Sequence, residues 1–433
     1  MSETVLGLVA IAVMFLLIGL RIPIAIAMAT VGAGGGLILN GSESVSFIMG
    51  SLPFETVFPY SLSVVPLFIM MGVFAARAGL SKSLYTAVHA FIGHYRGGLG
   101  MATVGACAAF GAICGSSLAT AATMSKVAMP EMRKRNYHDG LASASIAAGG
   151  TLGVLIPPSV IIVIYALLTE QSIGQMFAAA IIPGILATLL YMLAVWGQTL
   201  IDPAAGPADE RVRARGRIQA LLNVWPVLLL FGLVIGGIYL GWFSPTEAAA
   251  IGAFGALSLA LLKRKLTLDV FLDCLGETAT TSGMIFMILI GTALFNYFIE
   301  TTGLPHQLVA YVDQLGWAPL AILLVLIVFY ILLGCVMDAL SMLLLTLPFV
   351  FPLIQSLGFD PIWFGIIMVS VVEVGLITPP VGMNLFVIMA TTPDLKLGTI
   401  SKGVIPFLMA DAVRVALLVL FPALVLWLPS YMQ

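Results

Sequence analysis

Long apolar stretches, separated by short clusters of cations, run along almost the whole chain. A bilayer-crossing helix needs about 20 mostly apolar residues. Stretches of that order cover 4–20, 23–40, 61–76, 141–168, 175–200, 221–241, 246–262, 278–300, 361–392 and 403–428. Lysines and arginines gather at 21, 77–96, 126–135, 211–217, 263–265 and 396–402, with Arg414 apart, whereas 136–210 and 266–395 contain none. Placing each cluster on the cytoplasmic side, where cationic loops accumulate, threads ten crossings with both termini outside. Residues 80–95 set Lys82 and His89 among apolar positions, which predicts a short interfacial arm.

Two apolar segments do not fit as simple crossings. Residues 97–135 begin after Arg96 and end at Arg133, Lys134 and Arg135, so both ends read as cytoplasmic. The segment is too apolar for a loop and barely long enough for two spans. A polar break, Cys114-Gly115-Ser116-Ser117, falls in its middle. A re-entrant hairpin satisfies these facts, and non-helical backbone at that depth needs protein or a water-filled cavity around it. Residues 317–356, broken between Cys335 and Ser341 and flanked by acidic ends without Lys or Arg, predict a second hairpin entering from the opposite side.

The chain also repeats itself. Gly153-Val-Leu-Ile-Pro157-Pro158 recurs as Gly375-Leu-Ile-Thr-Pro379-Pro380, and 375 − 153 and 379 − 157 both equal 222. The same offset joins Pro130 to Pro352. Matching helix breakers in two halves are the sequence mark of inverted-repeat transporters. The expected fold is therefore an all-α polytopic membrane protein of two inverted repeats. The first, 1–200, holds spans within 4–76, the arm 80–95, hairpin 97–135, broken span 141–168 and span 175–200. A cytoplasmic linker, 201–220, leads to the second, 221–433. That half holds spans within 221–262, span 278–300, hairpin 317–356, broken span 361–392 and last span 403–428.

Composition agrees: of 433 residues, 61% are hydrophobic and 9% charged, far below the roughly 25% charge of soluble domains. The net charge of −2 says little, because cation placement matters more in a bilayer. Cys107, Cys114, Cys274 and Cys335 form no CxxC pair and lie in apolar stretches, so they read as small helix residues. Glu3 stands where a cleavable signal would be positive, so the first apolar stretch is expected to remain as a span. His89, His94, His138 and His306 are scattered and suggest no metal site. The sequence contains no GxxxxGK[ST], HExxH or GxSxG, which removes the usual signals of ATP hydrolysis and hydrolytic catalysis. An ion gradient is the natural energy source, and neither enzymatic activity, a cofactor nor a nucleic-acid partner is expected.

Candidate chemistry sits at the interruptions. Each proline removes a backbone donor and disfavours helix at the preceding residue, so both Pro-Pro spans are expected to be broken helices with freed carbonyls. A single such pair would read as an ordinary kink; two at repeat-equivalent positions point to a site. Ser116-Ser117 matches Asp338-Ala339 at the same offset. Serines commonly pack membrane helices, but a carboxylate near the bilayer centre costs ~2.5–3.5 kcal/mol and is expected to face a cavity or bind a cation. Two tips and two breaks supply oxygens suited to two dehydrated alkali ions. Glu373 either tunes a cation site or reaches a neighbouring helix. Asp411 and Arg414, spaced i,i+3, are expected to pair or snorkel in a structural role. Lys126 and Arg133 to Arg135 read as topology determinants.

At these residues the chain resembles the large membrane subunit of the tripartite ATP-independent periplasmic (TRAP) transporters. The resemblance is carried by Gly111–Thr120, Met129–Arg135, Gly149–Ser159, Ser244–Ala250, Thr281–Phe286 and Glu373–Asn384, and it covers nearly the whole chain. It implies the fold of the ion-transporter superfamily, with a scaffold and a moving elevator domain that carries both hairpins and both broken helices. It further implies sodium-coupled uptake across a bacterial inner membrane, a separate four-span membrane subunit and a periplasmic binding protein that delivers substrate. Carried over by position, one sodium site would use Cys114 through its carbonyl, Ser116, Gly153, Ile156 and Pro158. The second would use Asp338, Gly375, Thr378 and Pro380. Substrate would lie near Ser117, Ser341 and Asn384. Cys114 stands where related chains often carry a hydroxyl, which matters only if a side chain binds.

The expected cargo is an organic anion, commonly a carboxylate such as a C4-dicarboxylate or a sugar acid. No membrane-embedded arginine near either tip offers a fixed carboxylate clamp, which shifts selectivity towards the soluble partner. A stand-alone sodium/dicarboxylate symporter of the same fold is the alternative within transport. An ion channel is a different class, since re-entrant hairpins also build selectivity filters; paired hairpins with proline-broken spans favour alternating access.

Overall fold

The computed structural model describes residues 2–432 and, among these, helices without strands. Helices α1 (Glu3–Gly19), α2 (Ile24–Val57), α3 (Val64–Arg77) and α4 (Leu80–Ile92) lead into α5 (Gly98–Cys114) and α6 (Ser117–Lys134). Next come α7 (Asp139–Leu155), α8 (Val160–Leu168) and α9 (Ile173–Ile201). The second half comprises α10 (Ala214–Tyr239), α11 (Pro245–Leu262), α12 (Leu268–Thr301), α13 (Leu304–Leu315), α14 (Pro319–Gly334) and α15 (Ala339–Ser356). It closes with α16 (Pro361–Ile377), α17 (Met383–Thr391), α18 (Leu397–Leu420) and the single turn α19 (Ala423–Leu426).

The helix starts keep the 222-residue offset seen in the sequence. Helices α6 and α15 start at 117 and 339, and α7 and α16 start at 139 and 361; 339 − 117 and 361 − 139 are each 222. Both hairpin segments are helix–break–helix units, and both Pro-Pro spans are broken, with cis peptides at Pro157-Pro158 and Pro379-Pro380. Helix α13 occupies the place in the second half that the arm α4 holds in the first. The sequence pattern predicts no element over 302–313, between acidic positions.

Three boundaries differ from expectation, and one further helix is present. Helical geometry breaks at Gly41 (φ 79°, ψ 172°), where the expected 23–40 span ends, and a further helical stretch then continues α2 to Val57. The linker is shorter than 201–220, since the charged stretch from Ala214 already winds into α10. Helix α12 begins ten residues before 278, where the Thr267 hydroxyl accepts a hydrogen bond from Val270 N–H (3.3 Å). The last span covers 397–420 rather than 403–428, because Pro422 ends helix at the residue before it.

Nine helical segments among the described residues are long and apolar enough to cross a membrane. Eight coincide with predicted crossings; the ninth, Ala339–Ser356, is a hairpin arm, and the remaining predicted spans begin with the shorter apolar helices α1 and α16. Exposed Leu193, Leu228, Phe254 and Leu332 mark apolar outer surface, as lipid contact requires.

The chain divides into two compact units. One holds residues up to Ser63, Ala279–Leu326 and Leu340–Pro361. Within it, the Tyr297 hydroxyl meets Asn40 Nδ2 (3.2 Å) and Ser44 Oγ (3.3 Å), which ties α2 to α12 beside the Gly41 interruption. The other holds Val64–Thr278, Ile327–Ala339 and Ile362–Gln433. Its centre is α7, buried along almost its whole length and packed by α5, α6, α9, α17 and α18. Glycine, alanine and serine dominate α7, and such small residues let membrane helices approach closely.

Candidate functional site

The first hairpin tip is built by capping. Helix α5 ends at Cys114; Gly115 takes the left-handed conformation (φ 64°) and its N–H donates to Gly111 C=O (2.8 Å). Ser116 is extended (φ −138°, ψ 127°), and its hydroxyl accepts from Ala119 N–H (3.4 Å) to start α6. The first break follows the same logic from proline. Ile156 is extended (φ −79°, ψ 123°), as a residue before proline prefers. Ser159 then caps α8 by accepting from Ile162 N–H (3.5 Å). In an unbroken helix the carbonyls of Gly153 and Val154 would accept from residues 157 and 158, but prolines have no N–H to give.

Tip and break lie in contact. A methyl on Gly111 would fall 2.5 Å from Gly153 Cα, and one on Gly153 would fall 2.8 Å from Thr120 Oγ1 and 3.0 Å from the Ser116 carbonyl oxygen. Only glycine at both positions permits this approach. Of the expected set, Ser116 beside Cys114 thus meets Gly153, and a methyl on Gly115 would fall 3.0 Å from the Pro158 carbonyl oxygen; Ile156 lies between Gly153 and Pro158 in sequence. Thr120, absent from that set, belongs with it: its buried hydroxyl makes no hydrogen bond to a nitrogen or oxygen and has the Cys114 thiol beside it. Its i,i+4 spacing from Ser116 was the available signal.

The second tip and break are assembled alike. Asp338 immediately precedes α15, the position that Ser116 holds before α6 (338 − 116 = 222). A carboxylate there also meets the positive end of the helix dipole, so it suits capping as well as cation binding. Gly375 packs so closely on α14 that a methyl would fall 2.6 Å from Gly334 Cα, and Gly382 N–H reaches Cys335 C=O (3.4 Å). Leu376 loses its next-turn donor to Pro380, while the Gly375 carbonyl accepts from Thr378 N–H (3.1 Å). The Thr378 hydroxyl donates to Val374 C=O (2.6 Å), so its oxygen can still accept.

A hydrogen bond joins the first tip to the second broken span. Ser117 Oγ donates to Asn384 Oδ1 (2.8 Å), and Asn384 Nδ2 donates to Ala147 C=O (3.0 Å). Two of the three residues expected near substrate are therefore partners, and both are buried. Ser341 lies in the first turn of α15, in the other compact unit. Among the described residues no three His, Cys, Asp or Glu side chains gather into a metal cluster, so the oxygens on offer at these breaks are chiefly carbonyls and hydroxyls.

Behind the breaks lies a buried ionic network. Arg414 Nη1 donates to Glu373 Oε2 (2.8 Å), and Nη2 lies 2.9 Å from Asp411 Oδ1 and donates to Ser370 C=O (3.1 Å). The Tyr191 hydroxyl bonds the Asp411 carboxylate (2.8 Å) and approaches Thr151 Oγ1 (3.4 Å). Asp411 and Arg414 do pair, but snorkelling is excluded because neither is exposed. Glu373 proves to reach the neighbouring helix α18. Thr151 is its counterpart in the first repeat (373 − 151 = 222), and the two stand two residues before Gly153 and Gly375 respectively. One network thus backs both breaks.

Outside the membrane segments, the expected topology cations make specific ties. Arg133 binds Asp139 through two bonds (2.8 and 2.9 Å) and Asp394 through a third contact (2.8 Å). That guanidinium holds the Asp394 carboxyl below the usual range. Arg135 and His89 share Asp209 of the linker, at 2.6 and 2.9 Å. Linker backbone also bonds unit-internal turns, with Gly97 N–H reaching Gly206 C=O and His138 N–H reaching Ala205 C=O.

These features define a polytopic helical membrane protein with the fold of solved membrane transporters. The chain aligns with the Alcanivorax borkumensis YdaH transporter at a TM-score of 0.69 and 15% identity, covering 96% of this chain and 98% of that one. Residues 11–424 match the family described as tripartite ATP-independent periplasmic transporter, DctM component, and the chain belongs to that family. It is similar to the C4-dicarboxylate TRAP transporter large permease DctM of Pseudomonas aeruginosa, 36% identical over 406 residues, 93% of this chain and 94% of the relative. It is 32% identical over 395 residues to the sialic acid TRAP transporter large permease SiaM of Vibrio cholerae, covering 91% of this chain and 92% of the relative. The protein is thus a TRAP large permease, a transport component rather than an enzyme.

Proposed function

We propose that this permease carries an organic acid across the bacterial inner membrane, driven by sodium bound at the two backbone interruptions. The observation that carries the reading is the contact of Ser116 C=O, the buried Thr120 hydroxyl and Gly153 at a helix whose next-turn donors are prolines. Carbonyl and hydroxyl oxygens match a hard alkali cation. The first ion is held by Cys114 through its carbonyl, Ser116, Gly153, Ile156 and Pro158, with Thr120 added; the second by Asp338, Gly375, Thr378 and Pro380. Substrate contacts Ser117, Ser341 and Asn384. The relatives named for C4-dicarboxylates and sialic acid support a carboxylate-bearing cargo.

In this reading the halves have inverted topology, both termini are periplasmic, and the hairpins with their broken helices move as an elevator against the remaining spans. A four-span membrane subunit and a periplasmic binding protein complete the system. Reconstituting the large subunit with and without these partners tests the scheme. Sodium-gradient-driven uptake only with the binding protein supports it. Equal uptake without that protein identifies the stand-alone symporter, and single-channel currents identify a channel.

A further inference from the structure

Between α4 and α6 lies a cavity of about 390 Å³ that none of the transport assignments uses. This lies within the roughly 300–1,000 Å³ of small-molecule sites. Lys82, Tyr85 and His89 line it from α4, Lys126 and Glu131 from α6, and Arg135 from the residue that ends α6. The 82, 85, 89 spacing puts one stripe of the arm along the wall, and 126 and 131 sit on the facing helix.

The charges in this wall are unequally engaged. The single acid, Glu131, is taken up by Arg135 Nη1 (2.6 Å), and Arg135 Nε and His89 Nε2 both bind Asp209 (2.6 and 2.9 Å). Lys82 and Lys126 are exposed and, among the described residues, form no salt bridge. Tyr85, only 5% exposed, lines the wall between them. Two ammonium groups without salt-bridge partners complement an anion with several acceptor oxygens.

We propose that this cavity binds a phosphate group, presented by the headgroup of an anionic lipid. Basic pockets beside membrane helices on the cation-rich face suit such headgroups. The arm itself points to the lipid source: Phe91 and Tyr95, exposed at its C-terminal end, are the aromatic residues found at headgroup depth. Occupancy joins the arm to the first hairpin through one ligand.

Native mass spectrometry of the purified full chain with phosphatidylglycerol, in otherwise zwitterionic lipid, tests this directly. Each lysine near an anionic headgroup is worth about fivefold in affinity, so Lys82→Gln with Lys126→Gln should weaken retention roughly 25-fold. Lys402→Gln, an exposed cation outside the cavity, should leave retention unchanged. Lipid that survives an excess of inorganic phosphate confirms the headgroup, whereas inorganic phosphate that displaces it and binds alone overturns the lipid source. Equal retention by wild type and the double variant overturns the site. Both lysines are exposed, so the variants keep the fold, which the melting temperature verifies.

Discussion

Glu373 Oε2 and Arg414 Nη1 lie 2.8 Å apart with neither side chain exposed. The pair binds α16, which leads into the second break, to α18. Removing one partner of a buried pair leaves an uncompensated charge and costs about 3–5 kcal/mol. Arg414→Ala should therefore lower the melting temperature of the purified protein sharply, because Asp411 and Glu373 are both stranded. Glu373→Gln should cost much less, since Arg414 keeps Asp411 as counter-ion. Equal losses from the two variants would contradict this division of roles.

Gly111 and Gly153 approach too closely for a side chain on either. Overpacking of this kind costs about 1–3 kcal/mol. Gly111→Ala should reduce stability by that amount and weaken sodium-dependent uptake, because it forces the first tip away from the first break. Thermal unfolding and the sodium dependence of transport measure the two effects separately.

The Ser117–Asn384 hydrogen bond is buried, so substrate contact at the proposed site would require its exchange. Asn384→Ala leaves Ser117 Oγ and Ala147 C=O without their partner, at a cost of about 1–3 kcal/mol for each stranded group. The expected outcome is a raised KM for uptake together with reduced stability. Ser117→Ala should show the milder form of both.

Asp209 gives a pH signature. Burial pushes its carboxyl up, but hydrogen bonds from Glu210 N–H, Arg135 and His89 outweigh that and hold it below the usual aspartate range. A carboxyl lowered in the folded state contributes stability that is present above its unfolded value, near 3.9, and lost as pH falls through the folded value. Asp209→Asn should thus cost about 1 kcal/mol at neutral pH. Its melting temperature should converge on wild type as pH drops below about 4.

Much of this architecture is legible in the sequence, because membrane constraints are severe and the prolines are unambiguous. The breaks at Cys114–Ser117 and Pro157-Pro158, and their counterparts 222 residues on, follow from polar tips and missing donors. Elements set by local geometry were less visible: helix restarts after the break at Gly41 and runs to Val57, and the charged residues after Ala214 favour helix despite reading as linker. At the site, Thr120 was missed because a threonine on a membrane helix ordinarily bonds its own backbone; only packing against Gly153 places its oxygen at the break. The Arg414 network was half visible, as an i,i+3 pair. Its link to Glu373 spans 41 positions and needs the fold.

The central claim, that interrupted backbone beside Thr120 and Asp338 holds the driving ions, is tested most directly by sodium-dependent thermal stabilisation of the purified chain. A ligand bound only to the folded state raises stability with its concentration. Wild type should melt higher in sodium chloride than in choline chloride of equal strength. Thr120→Val and Asp338→Asn should each move the sodium midpoint upward by about tenfold or more. Sodium midpoints unchanged from wild type in both variants would contradict the account.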